Sequence, residues 1–451
     1  MEEDSKGENH PEVTMLEDQT ILHEVETEFI NWAKQNLVEI KSLDTIEENS
    51  DLKEIAKAIG GAKVVALSEG FHNCKEMMKL HHRLIRYLVE HHGFNTVCSE
   101  SGLPESRIVH DYVLGKDVNM DEMWKKGING MYSEWNEGRR LIEFMRDFNL
   151  NHSNRLNYYG VDIGGFYKDW RTPLEMILQY LNNVDPEYNE QLSKQLKPYM
   201  EVLSDNARLN YSNQLSSEQR DDLARILDES LSNFDEKEEV YTSKDGEKEF
   251  QWARQSMISM QLAENYYRNI EYRRHPERSK MVGLNGREIA MARNCLWALK
   301  QQKDAKIVWI DHIVHTKTKA QYQDEMWGFF TPAGQILKQH LKEDYFSIGM
   351  LYNEGKFWNN WKRPDERFVD ICVPWDTKSN SIEGTLSKCY DKRTSFFLHW
   401  GKLLSLKSLE CLYWLRKDDV IRDDDSFYNI QPIEWDACIF LQDVSPATPA
   451  N

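Results

Sequence analysis

Three carboxylates and three histidines carry the chemistry this sequence offers: Glu69, Glu100 and Asp162, with His72, His312 and His315. Each lies at or just beyond the end of a short apolar run. Ala62 to Leu67 leads into Ser68-Glu69-Gly70-Phe71-His72, and Phe94 to Cys98 leads into Ser99-Glu100. Leu156 to Val161 leads into Asp162, and Ala305 to Ile310 into Asp311-His312. In open parallel sheets, ligands bind beyond the carboxyl ends of the strands, so side chains from four separate strands would converge on one cleft. Histidine beside carboxylate is a composition suited to acid–base catalysis near neutral pH.

Each residue also has a plainer reading. Glu69 could cap the helix that follows it. His72 could be a structural histidine at a loop–helix junction, and Glu100 and Asp162 solvated or ion-paired carboxylates. His312 and His315 can both face inward only if the chain turns between them. A divalent metal could use the histidines and carboxylates, but H-E-x-x-H is absent and His312-x-x-His315 alone is a weak signature, so the expectation is no metal and no cofactor. A serine nucleophile is a second option. Ala66-Leu67-Ser68-Glu69-Gly70 approximates G-x-S-x-G, with Asp162 and His315 following in hydrolase order. Phosphate-loop and dinucleotide signatures are missing.

The elements that must position these residues follow from periodicity. The apolar runs predict strands buried on both faces, joined by further strands at Phe346 to Leu351, Ser395 to Leu398 and Ala437 to Leu441. Cys74 to His91 has an apolar stripe at Met77, Leu80, Leu84 and Leu88 and stops before Gly93, which predicts a helix. Helical spacing is also expected from Ile21 to about Leu43. Strands alternating with helices predict an α/β fold, a mainly parallel sheet sandwiched by helices. Strand signals vanish between about 170 and 285, which predicts an inserted all-helical region with a charged loop at Asp235 to Glu249. The expected division is a mobile tail at 1–17, core at 18–169, helical insertion at 170–285, and core again at 286–451. Trp327-Gly328-Phe329-Phe330 is the expected hydrophobic rim of the cleft.

Composition narrows the function. Hydrophobic residues are 40% of the 451, enough for a sizeable core. The formal net charge of −19 disfavours nucleic acid and membrane surfaces as partners. The seven cysteines are scattered with no C-x-x-C, which fits reduced thiols and a cytoplasmic location. A small-molecule substrate is the expected partner.

At these residues the sequence resembles the erythromycin esterase family. The likeness is carried by the apolar strand into Glu69-Gly70-Phe71-His72 with Glu76 downstream, by His82-Arg83-Leu84-Ile85-Arg86, and by Gly93-Phe94 running to Glu100. Gly160-Val161-Asp162, Arg287-Glu288 ahead of Met291-Ala292, His312-Ile313-Val314-His315, Pro332-Ala333-Gly334-Gln335 and Asp436-Ala437 extend it from about 50 to 443. Ser68 stands in place of the family's glycine, Ile313 in place of asparagine, and His81 where macrolide-hydrolysing relatives carry arginine. The resemblance implies a metal-independent hydrolase in which His72, oriented by Glu69, activates water against a macrolactone or other carboxylic ester. It implies Glu100, His312 and His315 as further catalytic residues, and Glu76, Arg86, Asp162 and Arg287 as substrate-binding ones. Some relatives bear names tied to succinoglycan, so a non-hydrolytic role in exopolysaccharide biosynthesis stands as an alternative beside the Ser68 hydrolase.

Overall fold

The computed structural model describes residues 19–44, 48–165, 169–273, 285–322, 329–358, 368–371, 382–390, 394–403, 420–423, 426–429 and 434–450. The segment 1–17 and the Trp327-Gly328 half of the expected rim lie outside them. The strands in chain order are β1 (Val38–Glu39), β2 (Val64–Glu69), β3 (Thr96–Gly102), β4 (Asn157–Asp162), β5 (Ile307–His312), β6 (Gln321–Tyr322) and β7 (Phe329–Phe330). They continue as β8 (Tyr345–Trp358), β9 (Phe368–Ile371), β10 (Phe396–His399), β11 (Val420–Asp423), β12 (Ser426–Asn429) and β13 (Ala437–Val444).

Nine of these form one sheet in the order β1-β10-β13-β8-β2-β5-β3-β4, with β9 attached to β8. Neighbours from β13 to β4 pair in parallel, while β1, β10 and β9 join antiparallel at the margin. The chain is thus mixed α/β with a mostly parallel sheet, as the alternation of strands and helices predicts. Every residue of β2, β4 and β5 is buried, because helices cover both faces and no strand face meets water.

These strands end later than their apolar runs suggest. β2 continues through Ser68-Glu69 and β5 through Asp311-His312, in register with each other: Ser68 lies opposite Asp311 and Glu69 opposite His312. The polar residues are therefore the last rungs of the ladder, held by backbone pairing.

The helix Lys75–His92 buries Met77, Leu80, Leu84 and Leu88 against the sheet. It ends at Gly93, whose φ of 72° is the left-handed cap that glycine adopts without a Cβ penalty. The helical spacing from Ile21 holds only to Asn36. The chain then extends as β1 along β10, so the expected helix to Leu43 is shortened by strand pairing.

After β4 the chain forms helices Arg171–Val184, Pro186–Val202, Ala207–Gln214, Ser217–Glu236, Glu238–Asp245 and Glu247–Arg273. They pack around their own apolar cluster, which includes Leu174, Leu181, Leu223, Leu227 and Phe234. The expected charged loop at 235–249 is instead mostly helix. Glu and Lys are good helix formers without any periodic apolar stripe, and Tyr241 pins the segment by donating to Asp185 and Asn233.

Candidate active site

β2, β5, β3 and β4 lie side by side and run the same way, so their last residues share one edge of the sheet. Glu69, His312, Glu100 and Asp162 all stand there, each 5% exposed or less. His72 follows β2 in the turn toward the next helix. Its Nδ1–H donates to Glu69 Oε1 at 2.6 Å, and its Nε2 lies 3.8 Å from Glu100 Oε2. Glu69 is thus committed to His72 and does not cap the helix, whose N-cap is Cys74. Burial pushes the Glu69 carboxyl up, and the hydrogen bond and charge of His72 pull against that shift.

The chain turns after β5 through the four-residue helix Ile313–Thr316, which brings His312, its N-cap, and His315, on its third residue, inward together. The His312 ring lies 4.9 Å from that of His72 and 6.3 Å from that of His315. His312 Nδ1 accepts from Val314 N at 3.4 Å. Burial, then the charge of His72, hold His312 well below the usual imidazole range, so it is neutral. His315 is fixed at both nitrogens. Its Nδ1–H donates to Glu288 at 2.8 Å, and its Nε2 accepts from Arg287 Nη1 at 2.9 Å. With both nitrogens engaged, His315 acts here as a support for Arg287.

Arg287 is the buried cation of the site. Its guanidinium reaches Asp162 at 2.7 to 3.1 Å and Glu100 at 2.5 Å. Burial works to raise the Glu100 carboxyl, but it is outweighed by the charges of Arg287, His72 and His315, so Glu100 is held well below the carboxylate range. Asp311 is the opposite case. Burial, the nearby Glu100 charge and a hydrogen bond to Glu100 push its carboxyl well up. Its other bonds come from Trp309 Nε1 and His312 N. Asp162 is raised by burial despite its contact with Arg287.

Asp311 and Glu288 are site residues that the sequence reading did not single out. The signal available was position: Asp311 precedes His312 at a strand end, and Glu288 follows Arg287 on the same helix. Glu288 also accepts from Ala333 N at 3.0 Å, tying the site to the Pro332-Ala333-Gly334 turn.

Three expected roles do not match the geometry. Glu76 accepts from Ser445 N and Ser445 Oγ, both at 2.6 Å, and is occupied in holding that segment. Arg86 pairs with Glu90 at 2.8 Å on the half-exposed face of its helix, about 17 Å along the axis from Lys75. The cation that meets the site carboxylates is Arg287. Ser68, one residue before Glu69 in a strand, points to the opposite face and bonds Thr316 Oγ1 at 2.5 Å while fully buried. Among the described residues its hydrogen-bond partner is Thr316 and not a histidine, which removes the nucleophile-elbow arrangement.

Glu100, Asp311 and His315 offer ligand atoms within 4.8 Å of one another. A divalent ion there would compete with the Arg287 guanidinium, which already takes Glu100 and His315 Nε2. The guanidinium fixed among these donors makes the set a poor fit for a resident metal. His81 is 2% exposed, and burial lowers it to about 3. It contributes no charge. Of the expected aromatic rim, the Phe330 ring lies 6.4 Å from that of His315, tilted at 59° to it.

Residues 89–443 match the family model for erythromycin esterase. The chain belongs to the erythromycin esterase family. The match begins after the Glu69–His72 turn and covers the other site residues. The erythromycin esterase type II of Escherichia coli is 23% identical over 80% of this chain and 86% of its own. A solved succinoglycan biosynthesis protein superposes with a TM-score of 0.74 at 18% identity, covering 94% of this chain and 99% of that one. A mutant of the erythromycin esterase EreC in its open conformation gives 0.70 at 16%, covering 89% and 95%. These two structural likenesses speak to the fold. Family membership makes this a hydrolase-type chain, and among the described residues no helix is long and apolar enough to cross a membrane.

Proposed function

We propose that this member of the erythromycin esterase family hydrolyses a macrolactone or other carboxylic ester with water activated by His72. The observation that carries the reading is the Glu69–His72 pair at 2.6 Å, with the Nε2 edge facing Glu100 across 3.8 Å. His72 is also the most exposed of the site histidines, its side chain 16% accessible.

In this mechanism Glu69 holds the Nδ1–H, which leaves the Nε2 lone pair for a water proton. The water oxygen attacks the ester carbonyl carbon as its proton passes to Nε2. The imidazolium then lies between Glu69 and Glu100, and both carboxylates stabilise it. Collapse of the tetrahedral intermediate breaks the carbon–oxygen bond, and the Nε2 proton goes to the departing alkoxide. Arg287, anchored by Asp162 and His315, keeps Glu100 ionised and in place. No metal or cofactor takes part, and Glu76, Arg86 and Ser68 have no role in the chemistry.

The test is mass spectrometry of macrolides and a panel of lactones and simple esters after incubation with the wild type and with His72→Ala. A substrate gaining the mass of water, with the rate falling about 100- to 10,000-fold in the variant, is expected. Equal rates in the two proteins would refute the assignment. Activity removed by chelator and restored by a divalent ion would move the reading to metal-assisted hydrolysis.

A further inference from the structure

The segment that follows β13 does not leave the molecule. Residues 445–450 run as a strap across the turn that carries His72. Lys75 N donates to Ser445 O at 2.9 Å and Ala447 N to Asn73 O at 2.8 Å, while Cys74 and Pro446 form an antiparallel bridge. Further along, Asn136 N donates to Thr448 O at 2.8 Å, Ala450 N to Glu134 O at 2.8 Å, and Trp135 bridges Pro449.

Two glutamates grip the strap in the same way. Glu76 takes the N–H and O–H of Ser445, both at 2.6 Å, and Glu137 takes the N–H and O–H of Thr448, both at 2.9 Å. Each glutamate stands in the first turn of a helix, Lys75–His92 or Asn136–Asn151. A small apolar cluster of Met78, Trp135 and Ala447 lies beneath.

The strap meets the His72 turn at its least relaxed residue. Asn73 has a φ of 66°, a left-handed conformation that asparagine adopts more readily than most residues but still at some cost. Both its polar ends are held from outside the turn. Its carbonyl takes Ala447 N, and its Oδ1 takes Trp135 Nε1 at 2.6 Å. Asn73 follows His72 directly, so these bonds fix the backbone from which the imidazole projects.

We infer that the 445–450 strap is a positioning element for His72, holding the Asn73 turn so that the imidazole keeps its bond to Glu69 and its distance from Glu100. The inference rests on the proposed role of His72 and deepens it: residues outside the matched family region set the geometry of the base.

The test uses the full chain with two substitutions. Ala447→Pro removes the N–H that reaches Asn73, at the cost of adding a ring to a buried position, and Glu137→Gln loosens the far anchor; Thr448→Ser keeps the hydroxyl and serves as the conservative control. The readouts are the His72 imidazole NMR resonances, assigned by their loss in His72→Ala, the split between kcat and KM on any hydrolysed ester, and the melting temperature. Expected is a shifted His72 resonance with kcat lower by about 10-fold in Ala447→Pro and about 3-fold in Glu137→Gln, KM unchanged, and Thr448→Ser like wild type. An unmoved His72 resonance and unchanged kcat, with only the melting temperature lowered, overturns the inference. Should Ala447→Pro fail to fold, Glu137→Gln decides by the same readouts. A shifted His72 in a protein that hydrolyses nothing leaves the positioning intact and sinks the hydrolase reading instead.

Discussion

The carboxyl edge of the sheet and the helical region between Arg171 and Arg273 bury their polar groups in opposite ways. At the sheet edge, carboxylates, imidazoles and one guanidinium are packed together inside: Glu69, Glu100, Asp162, Glu288, Asp311, His312 and Arg287 are all 7% exposed or less. In the helical region the interior is apolar and aromatic. There a buried tyrosine typically reaches one polar partner, as Tyr211 does with Glu264 at 2.6 Å and Tyr199 with Asp222 at 2.7 Å. The helices satisfy their own backbones and gain stability from apolar contact. The sheet edge costs desolvation for every charge it buries, and it is held only because each charge meets another. A protein concentrates such cost where it needs reactive groups.

The sharpest way to break this contrast is Arg287→Met. Removing the cation strands Asp162 and Glu100 in a dry site, and the expected loss is about 3 to 5 kcal/mol of stability together with hydrolysis. Denaturant unfolding and ester turnover would be measured on one preparation; a fully stable, active variant would mean the network is dispensable. Leu227→Ala in the helical region is expected to cost about 3 kcal/mol through its cavity, since Leu227 is fully buried. Here kcat should be unchanged at temperatures where the variant is folded, so stability and chemistry separate where in Arg287→Met they fall together.

A third variant tests a buried charge away from the site. Burial pushes the Glu383 carboxyl, 2% exposed, up to about 8 from an ordinary value of 4.5. The stability this raised value contributes is complete below pH 4.5 and is lost as pH rises through 8. Glu383→Gln should therefore flatten the fall in melting temperature between pH 5 and pH 9, an effect on the order of 4 kcal/mol. Parallel curves for variant and wild type would place Glu383 in a wetter setting than its neighbours allow.

Much of this arrangement was legible in the chain itself. The apolar runs before Glu69, Glu100, Asp162 and His312 mark buried parallel strands, and the positions after them mark one edge of the sheet. The strands run about two residues past the ends that hydrophobicity predicts, because the apolar runs stop at Leu67 and Ile310 while backbone pairing continues to Glu69 and His312. The charged residues of the helix Glu238–Asp245 show no periodic stripe and so predict a loop, and only Tyr241 is buried there. Asp311 and Glu288 looked like ordinary neighbours of a histidine and an arginine. Arg86 and Arg287 stand alike among the binding residues the resemblance implies, and only the fold separates them: Arg86 pairs with Glu90, while Arg287, more than 200 residues from His72 in sequence, meets Glu100 and Asp162.

What the sequence determined by itself was which side chains the sheet would carry to its edge, since strand alternation and burial are properties of local pattern. The tertiary structure decided which of them meet. Whether His315 faces solvent or Arg287, whether Asp311 is charged, and whether Ser68 points toward a histidine or toward Thr316 depend on contacts between distant segments. Desolvation and charge pairing act through space, so no spacing along the chain encodes them.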